Sequence, residues 1–309
     1  MKPGFHNAVA LFVGLLLCLA STAFAQDYPI RPIRFIVPYA TGGNGDISAR
    51  IVSVALTDLL GQTVVVDNRA GGNGIIGTNL VAKAQPDGYT LLLGASGNIA
   101  VGPAVLSNVP YDAIKDFAPI SMFQFVPMVV LASPKTPVSN YKELIAIAQS
   151  QPGKVTMASA GTGTSNHLAI ELLNIMANVK FLHVPYRGGG GRALIELLGG
   201  KVETMVDQLS SSISYVRDGR LKAIAVTSKT RSPMLPSVPT LDELGLKGFD
   251  AITFNGLMAP AATPRPVLAK LHAATVKALN LAAIRERFQD MGEAIKISSG
   301  SWSPISPNT

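Results

Sequence analysis

The chain has 309 residues, of which 48% are hydrophobic and 15% charged, with a formal net charge of +7. That length admits two domains of about 150 residues each and a substantial core. Lys and Arg are scattered singly, without a basic stripe or interleaved aromatics, which excludes a nucleic-acid footprint.

The first element is a targeting segment. Lys2 precedes an apolar run from Ala8 to Ala20, and Ala23-Phe24-Ala25 forms a small-residue cleavage site, so cleavage is expected before Gln26. The run is shorter than the roughly 20 apolar residues of a membrane span. Residues 1–25 therefore read as a cleaved signal peptide and the protein as periplasmic. The single cysteine, Cys18, lies within this segment, and Leu17 before it is not the small residue of lipoprotein processing. The mature chain is expected to carry no thiol, disulfide or lipid anchor. Losing Lys2 lowers the net charge from +7 to +6, a modest field that favours anionic partners.

Beyond the signal, strands alternate with helices. Arg34–Tyr39 is an apolar, β-rich run ending at Gly42-Gly43-Asn44-Gly45, and Ile47–Leu60 carries apolar residues at helical spacing until Gly61. Thr63–Val66 reads as a strand, Ile75–Ala84 as a helix, Pro86-Asp87-Gly88 as a turn and Tyr89–Leu93 as a third strand. The apolar stretch from Pro119 to Ser133 is long enough to cross between domains. A second α/β unit begins with a helix capped by Asn140 and Glu143, then Val155–Ser159, a Gly161–Thr164 loop, a helix over Ser165–Met176 and a strand near Phe181–Val184. A helix at Arg192–Leu198 and strands at Val202–Val206 and Ala223–Thr227 follow. Thr240 to Glu243 spells a capping box for a short helix. A longer helix starts at Thr263-Pro264, with Leu268, Leu271, Thr275 and Leu279 on one stripe. Short strands separated by helices imply parallel sheets covered on both faces.

Several motifs invite chemistry. Gly72 to Gly77 satisfies the glycine spacing of a dinucleotide loop, yet Asp67–Ala70 separates it from the preceding strand and no acid follows at the next strand's end. It reads better as a loop needing positive φ. Gly94-Ala95-Ser96-Gly97 approaches a nucleophile elbow, but Asn98 stands where the motif requires Gly. His167 and Glu171 share a helix face at i,i+4, a weak metal pattern beside the simpler reading of His167 as a first-turn hydrogen-bonding group. No metal or cofactor is expected. The loops Tyr39–Asp46 and Ser159–His167 place small residues and free backbone N–H groups at helix N-termini, where an anion is favoured. Thr162, Thr164 and Ser165 add hydroxyls.

The strings YPIRPIRFIVPYATGGNGDISAR, VVVDNRAGGNGIIGTNLVAKAQPDGYTLLLG, GTGTSNHLAIELL, HVPYRGGG and LLGGKV, in that order, resemble the tripartite tricarboxylate transporter receptor family of Bug-type periplasmic solute-binding proteins. The resemblance runs over roughly Tyr28–Met291. It implies an α/β, two-domain periplasmic-binding-protein (Venus flytrap) fold, each domain a mainly parallel sheet flanked by helices and joined by crossing strands. Residues 26–127 plus 252–309 form one domain and 128–251 the other. The cleft captures a small carboxylated organic anion without catalysis, and a monomer hands it to membrane permease subunits.

By the same resemblance, Tyr39, Gly43, Asn44 and Asp46 form one jaw and Gly161, Thr162, Gly163, Thr164, Ser165 and His167 the other, gripping carboxylate oxygens through amides, hydroxyls and waters. Asp46 cannot attract an anion and is expected to shape its loop or accept a hydroxyl or water. Ser96, Tyr186 and Asp207 are expected to complete the pocket; Arg187 reads equally as a bidentate carboxylate contact and as a solvated surface residue. Family members close with a further amphipathic helix, whereas this chain continues after Met291 as GEAIKISSGSWSPISPNT, polar and without a helical stripe; the domain holding both termini is expected to lack part of its packing. Two other functions fit parts of the sequence: a sensor presenting its closed form to a signalling partner, and a secreted α/β hydrolase using Ser96.

Overall fold

The computed structural model describes residues 28–186, 189–292 and 294–295. The signal segment, Arg187, and the tail beyond Ile295 lie outside the described residues.

Chain order is β1 (Ile33–Val37), α1 (Asn44–Leu60), β2 (Val64–Asn68), a one-turn 3-10 helix (Gly72–Gly74), α2 (Ile75–Ala82), β3 (Thr90–Ala95), a π-type turn (Ser96–Val101), α3 (Gly102–Val105) and β4 (Phe117–Ala132). Then come α4 (Tyr141–Ser150), β5 (Thr156–Ser159), α5 (Ser165–Met176), β6 (Leu182–Pro185), α6 (Gly190–Leu198), β7 (Thr204–Gln208), α7 (Leu209–Arg217) and β8 (Lys222–Val226). The chain closes with β9 (Ile252–Pro260), α8 (Arg265–Asn280), α9 (Ala282–Asp290) and β10 (Ala294–Ile295).

The strands run in the order β2-β1-β3-β9-β4-β7-β5-β6, with β8 and β10 each pairing on β4. Pairing is parallel within each α/β unit, β1 with β2 and β3, and β5 with β6 and β7. It turns antiparallel wherever β4 or β9 takes part. The sixteen-residue β4 is the connection: Phe117–Pro127 pairs with β9, while Met128–Ala132 lies between β7 and β8. Pro127 opposes Ile252, so β4 leaves the first unit where β9 returns to it. The long apolar stretch expected to cross between units does so as one strand.

Helices cover both faces of each group of strands, as buried apolar strands require. Phe35, Val37, Leu91, Leu93 and Phe123 pack with α1, α8 and α9 on one face, and Ile36, Leu92 and Met258 with α2 on the other. In the second unit Met128, Val130 and Val206 meet α4 and α5, while Val129, Leu131 and Met205 meet α6 and α7. Each fully buried side chain of this size contributes about 1.5–3 kcal/mol, so each unit holds a core of its own.

Local signals act as their chemistry demands. Gly61 takes a left-handed conformation (φ 69°) and its N–H closes α1 on Thr57 O. Asn140 Oδ1 accepts the Glu143 N–H at 3.0 Å. Thr240 and Glu243 exchange both capping bonds, at 2.9 and 3.0 Å, but only turns follow instead of the expected helix. Gly245 and Gly248, both at positive φ, stop the chain within two turns. At the C-terminal end, Ala294 and Ile295 add a short strand opposite Phe125 and Gln124, a structured piece of a tail that carries no helical stripe.

Candidate functional site

Two α/β units meeting along crossing strands leave a cleft, and its floor is a cavity of about 60 Å³. Since one water needs about 10–15 Å³ of such space, it holds a few waters or one end of a small solute. The lining comes from both units: Tyr39, Ala40, Gly43, Asn44 and Gly45, Ala95 and Gly97, Ala160, Thr164, Ser165 and Asn166, Gly190, Gln208, and Thr253 with Asn255 from β9. Among these described residues none is charged.

What the lining supplies is backbone N–H groups. Helices α1, α5, α6 and α7 all present their first residues or N-caps to the cavity, through Asn44, Ser165, Gly190 and Gln208. Each helix start carries about half a positive charge in unpaired N–H groups. Four of them converging on one small polar cavity favour an anion without any cationic side chain.

The first jaw is built by close packing. A β-carbon at Gly45 would lie 2.7 Å from Leu93 Cδ2 and 3.3 Å from the Tyr39 ring, so a larger residue here would have to displace the Leu93 side chain. Tyr39 donates from its hydroxyl to Asn98 Oδ1 at 3.2 Å; burial, then the neighbouring Tyr111, push its phenol well above the usual range. Asp46 points away from the cavity. Its Oδ2 accepts the Gly42 N–H at 3.0 Å and its Oδ1 pairs with Arg50 at 2.9 Å. Burial raises its pKa, but the Arg50 bond and the Gly42 amide outweigh that and hold it below the usual carboxylate value. Asn44 reaches across: it accepts from Asn255 Nδ2 at 2.6 Å and donates to Ser210 Oγ, on α7 of the second unit, at 2.7 Å.

In the second jaw, Gly161 (φ 135°) and Gly163 (φ 77°) turn the chain from β5 into α5. Thr164 caps α5, its Oγ1 accepting the His167 N–H at 3.3 Å and donating to Gly161 O at 2.7 Å. The Gly163 N–H donates to His167 Nδ1 at 3.2 Å. Asn166 donates to Val206 O at 2.9 Å and exchanges longer bonds with Gln208, which locks α5 to the end of β7.

Of the residues anticipated from sequence, the structure brings Tyr39, Gly43, Asn44, Thr164 and Ser165 to the cavity wall. Gly161 and Thr162 line a separate open groove on the rim, beside Gly71–Asn73 and Leu106–Asn108. His167 sits behind its loop, stacked on His183 with centroids 4.0 Å apart. Its Nε2 is 3.5 Å from Glu171 Oε1, and no cluster of three metal-ligating side chains occurs among the described residues. Ser96 accepts the Thr253 hydroxyl and the Phe254 N–H, each at 2.9 Å, and so ties β3 to β9. Asn98, the residue that departs from a nucleophile elbow, is wholly buried and bonded to Ala95 N and Thr78 Oγ1 at 2.8 Å. Tyr186 packs against the α6 side of the core, its N–H on Ser159 O. Asp207 lies beneath the cavity: a β-carbon at the lining residue Gly190 would come 3.1 Å from its Oδ1. That oxygen is buried without a partner, Ser211 donates to the other at 2.6 Å, and burial lifts the carboxyl to about 6.

Asn166, Gln208, Thr253 and Asn255 also line the cavity and were not anticipated. Asn166 stands within the loop motif itself. Asn255 carries the other available signal, a polar residue in the apolar run ITFNGLMAP that is 2% exposed.

Residues 48–300 match the family model described as the tripartite tricarboxylate transporter family receptor. A protein encoded in the tcbD–tcbE intergenic region of Pseudomonas sp. (strain P51) is 42% identical over 275 residues, covering 89% of this chain and 81% of that one. Protein BugT of Bordetella pertussis is 38% identical over 275 residues, covering 89% and 84%. Among solved structures, the periplasmic binding protein BugD superposes with a TM-score of 0.83 at 38% identity, covering 87% of this chain and 89% of that one. MatC from Rhodopseudomonas palustris with bound malate gives 0.83 at 34%, covering 87% and 91%. A second R. palustris protein, with adipate, gives 0.84 at 30%, covering 87% and 90%. The fold is therefore that of periplasmic binding proteins, two α/β units about a cleft.

Proposed function

The chain belongs to the tripartite tricarboxylate transporter receptor family, and from that premise we propose that it captures a small carboxylated organic anion in its cleft and delivers it to a tripartite tricarboxylate-type membrane permease. The supporting observation is the convergence of four helix N-termini on a cavity lined by amides and hydroxyls with no charged side chain. Such a site neutralises a carboxylate by oriented dipoles, and bridging waters extend its reach at little enthalpic cost. The similar proteins with bound malate and adipate point to a dicarboxylate class.

Binding is a domain closure. Residues 26–127 with 252–309 act as one domain and 128–251 as the other, hinged where β4 and β9 cross at Pro127 and Ile252. The anion bridges the α1 start of one domain and the α5, α6 and α7 starts of the other, so it binds the closed form best and shifts the population toward it. Export to the periplasm by cleavage before Gln26 places the monomeric protein where an outer solute is first met.

A thermal-shift screen of the exported protein against malate, adipate, citrate, amino acids and aromatic acids tests this reading. A ligand at about 100 times its Kd stabilises by roughly 2.7 kcal/mol. A rise in melting temperature with one or more carboxylates is expected; no rise with any of them overturns the assignment.

A further inference from the structure

The second Gly-Gly-Asn-Gly, at Gly71–Gly74, forms no part of the cavity wall, yet its asparagine reaches from the first unit to the loop of the second jaw. Asn73 Nδ2 donates to Gly163 O at 2.5 Å, spanning 90 residues of sequence. Three features describe the setting of this contact. Asn73 holds a left-handed backbone (φ 59°, ψ 36°), which among residues other than glycine Asn adopts most readily. Its Oδ1 is buried without a donor, so the amide gains only the bond made by its nitrogen. The space it occupies is bounded by glycines: β-carbons at Gly163 and Gly102 would stand 3.2 and 3.6 Å from Nδ2, and one at Gly97 would stand 3.7 Å from Oδ1.

Gly163 is the centre of the opposing loop. Its N–H is fixed on His167 Nδ1, and its carbonyl is the group Asn73 holds. Both polar backbone groups of that residue are thus held by protein partners, next to Thr164 and Ser165 of the cavity wall.

We propose that Asn73 is a closure latch and a positioning residue: it clasps Gly163 across the cleft, holding the jaws together and the Gly161–Ser165 loop in its anion-binding form. The proposal rests on the reading of the cleft as a closing solute site. Solute bound between latched jaws is sequestered, and the protein pays less to close around it, because the apparent affinity of a conformer-selective ligand scales with the population of the competent form.

Asn73→Gly is the informative substitution. Glycine adopts the left-handed backbone of this position without steric strain, so the turn is kept and the clasp is lost. Asn73→Asp keeps the size but replaces the donor with an acceptor facing Gly163 O. Small-angle scattering without solute and calorimetric titration with malate and adipate are the measurements. Expected are a larger radius of gyration for both variants, Kd weakened roughly three- to tenfold, the worth of one hydrogen bond, and a melting temperature for Asn73→Gly at or above that of the unmodified protein. An unchanged radius of gyration in Asn73→Gly overturns the latch, as does a large fall in its melting temperature, which makes Asn73 a folding residue only. Failure of the unmodified protein to bind either dicarboxylate strikes the functional reading instead, and leaves the scattering comparison to decide the latch.

Discussion

The imidazole rings of His167 and His183 lie stacked, with centroids 4.0 Å apart and planes inclined by 18°. His183 Nε2 is 2.6 Å from Ser159 Oγ, and among the described residues Glu171 is the acid that faces the pair, 3.5 Å from His167. Burial, and then the neighbouring His167, push the His183 pKa down to about 4 from an ordinary 6.5, with Glu171 opposing. The unfolded chain therefore binds this proton more readily than the native one between about pH 6.5 and pH 4. Native stability supplied by neutral His183 is complete above 6.5 and is lost as pH falls through 4. After discounting for solvent at this half-exposed pair, about 1 kcal/mol is at stake, or about 3 °C in melting temperature. Melting curves from pH 7.5 to 4 should fall less steeply for His183→Gln than for the unmodified protein; equal slopes would show that His183 does not titrate as its burial demands.

Asp207 works in the opposite sense. Its carboxyl, raised to about 6 by burial, favours the native state in its neutral form, so its contribution is present below about 3.8 and lost as pH rises through 6. Above that pH an ionised group sits under Gly190 at the cavity floor and repels an anion. Asn in its place still accepts the Ser211 hydroxyl and carries no charge. At pH 7.5, Asp207→Asn should bind malate or adipate roughly tenfold more tightly, as one nearby charge at intermediate dielectric implies, and the gap should close as the pH is lowered below 6. Calorimetric titrations at pH 5 and 7.5 read this directly, and a weaker-binding variant at both would assign Asp207 a direct ligand contact instead.

The fold was legible because strand, glycine loop and helix recur with clear punctuation: the helix over Ser165–Met176 was placed to the residue, and β4 was found as an apolar run too long for one unit. Legibility failed for β9 and α7, whose ITFNGLMAP and LSSSISYVR carry polar residues on faces that bury only through tertiary packing. In the site, the two loops at α1 and α5 were readable from local chemistry, since small residues before a helix start have one physical meaning. Gly190 and Gln208 were not, because their place depends on where α6 and α7 begin relative to distant strands. Asp207 was named, but nothing in sequence could tell that it lies one layer beneath the wall.

The two Gly-Gly-Asn-Gly copies flank different constraints, and alanine separates them. At Gly77, three residues past the second copy, a β-carbon would stand 2.7 Å from Arg69 O and 2.9 Å from Pro38 Cα, both backbone atoms that cannot yield cheaply. Gly77→Ala should cost about 1–3 kcal/mol, lowering the melting temperature by several degrees. Gly43, in the first copy, lines the cavity at φ −83°, with only Ala40 O within 4 Å, at 3.7 Å. Gly43→Ala should melt within about 1 °C of the unmodified protein, since an unstrained surface change moves stability by under about 0.5 kcal/mol, while its methyl group intrudes on the anion and weakens dicarboxylate binding. Melting and titration of both variants would contradict this division if Gly43→Ala proved the less stable of the two.

Asn44 joins three parts of the molecule at once: the start of α1, Asn255 on β9 and Ser210 on α7. Asn44, Asn255 and Ser210 are buried to 6, 2 and 7% exposure, so removing the middle group strands partners where water reaches them poorly. A buried polar group left without its bond costs about 1–3 kcal/mol, and Asn44→Ala should destabilise by that order. The Ser210 bond crosses between the two units, whereas the Asn255 bond stays within one. Asn44→Ala combined with Ser210→Ala should therefore be less destabilising than the sum of the singles, with a coupling of about 0.5–3 kcal/mol that residues in direct contact show. Denaturant melts of the four proteins in the cycle measure it. If the coupling is absent without solute but appears when malate or adipate saturates the cleft, the Asn44–Ser210 bond belongs to the liganded closed form alone, and Asn73 is then left as the contact that holds the empty cleft shut.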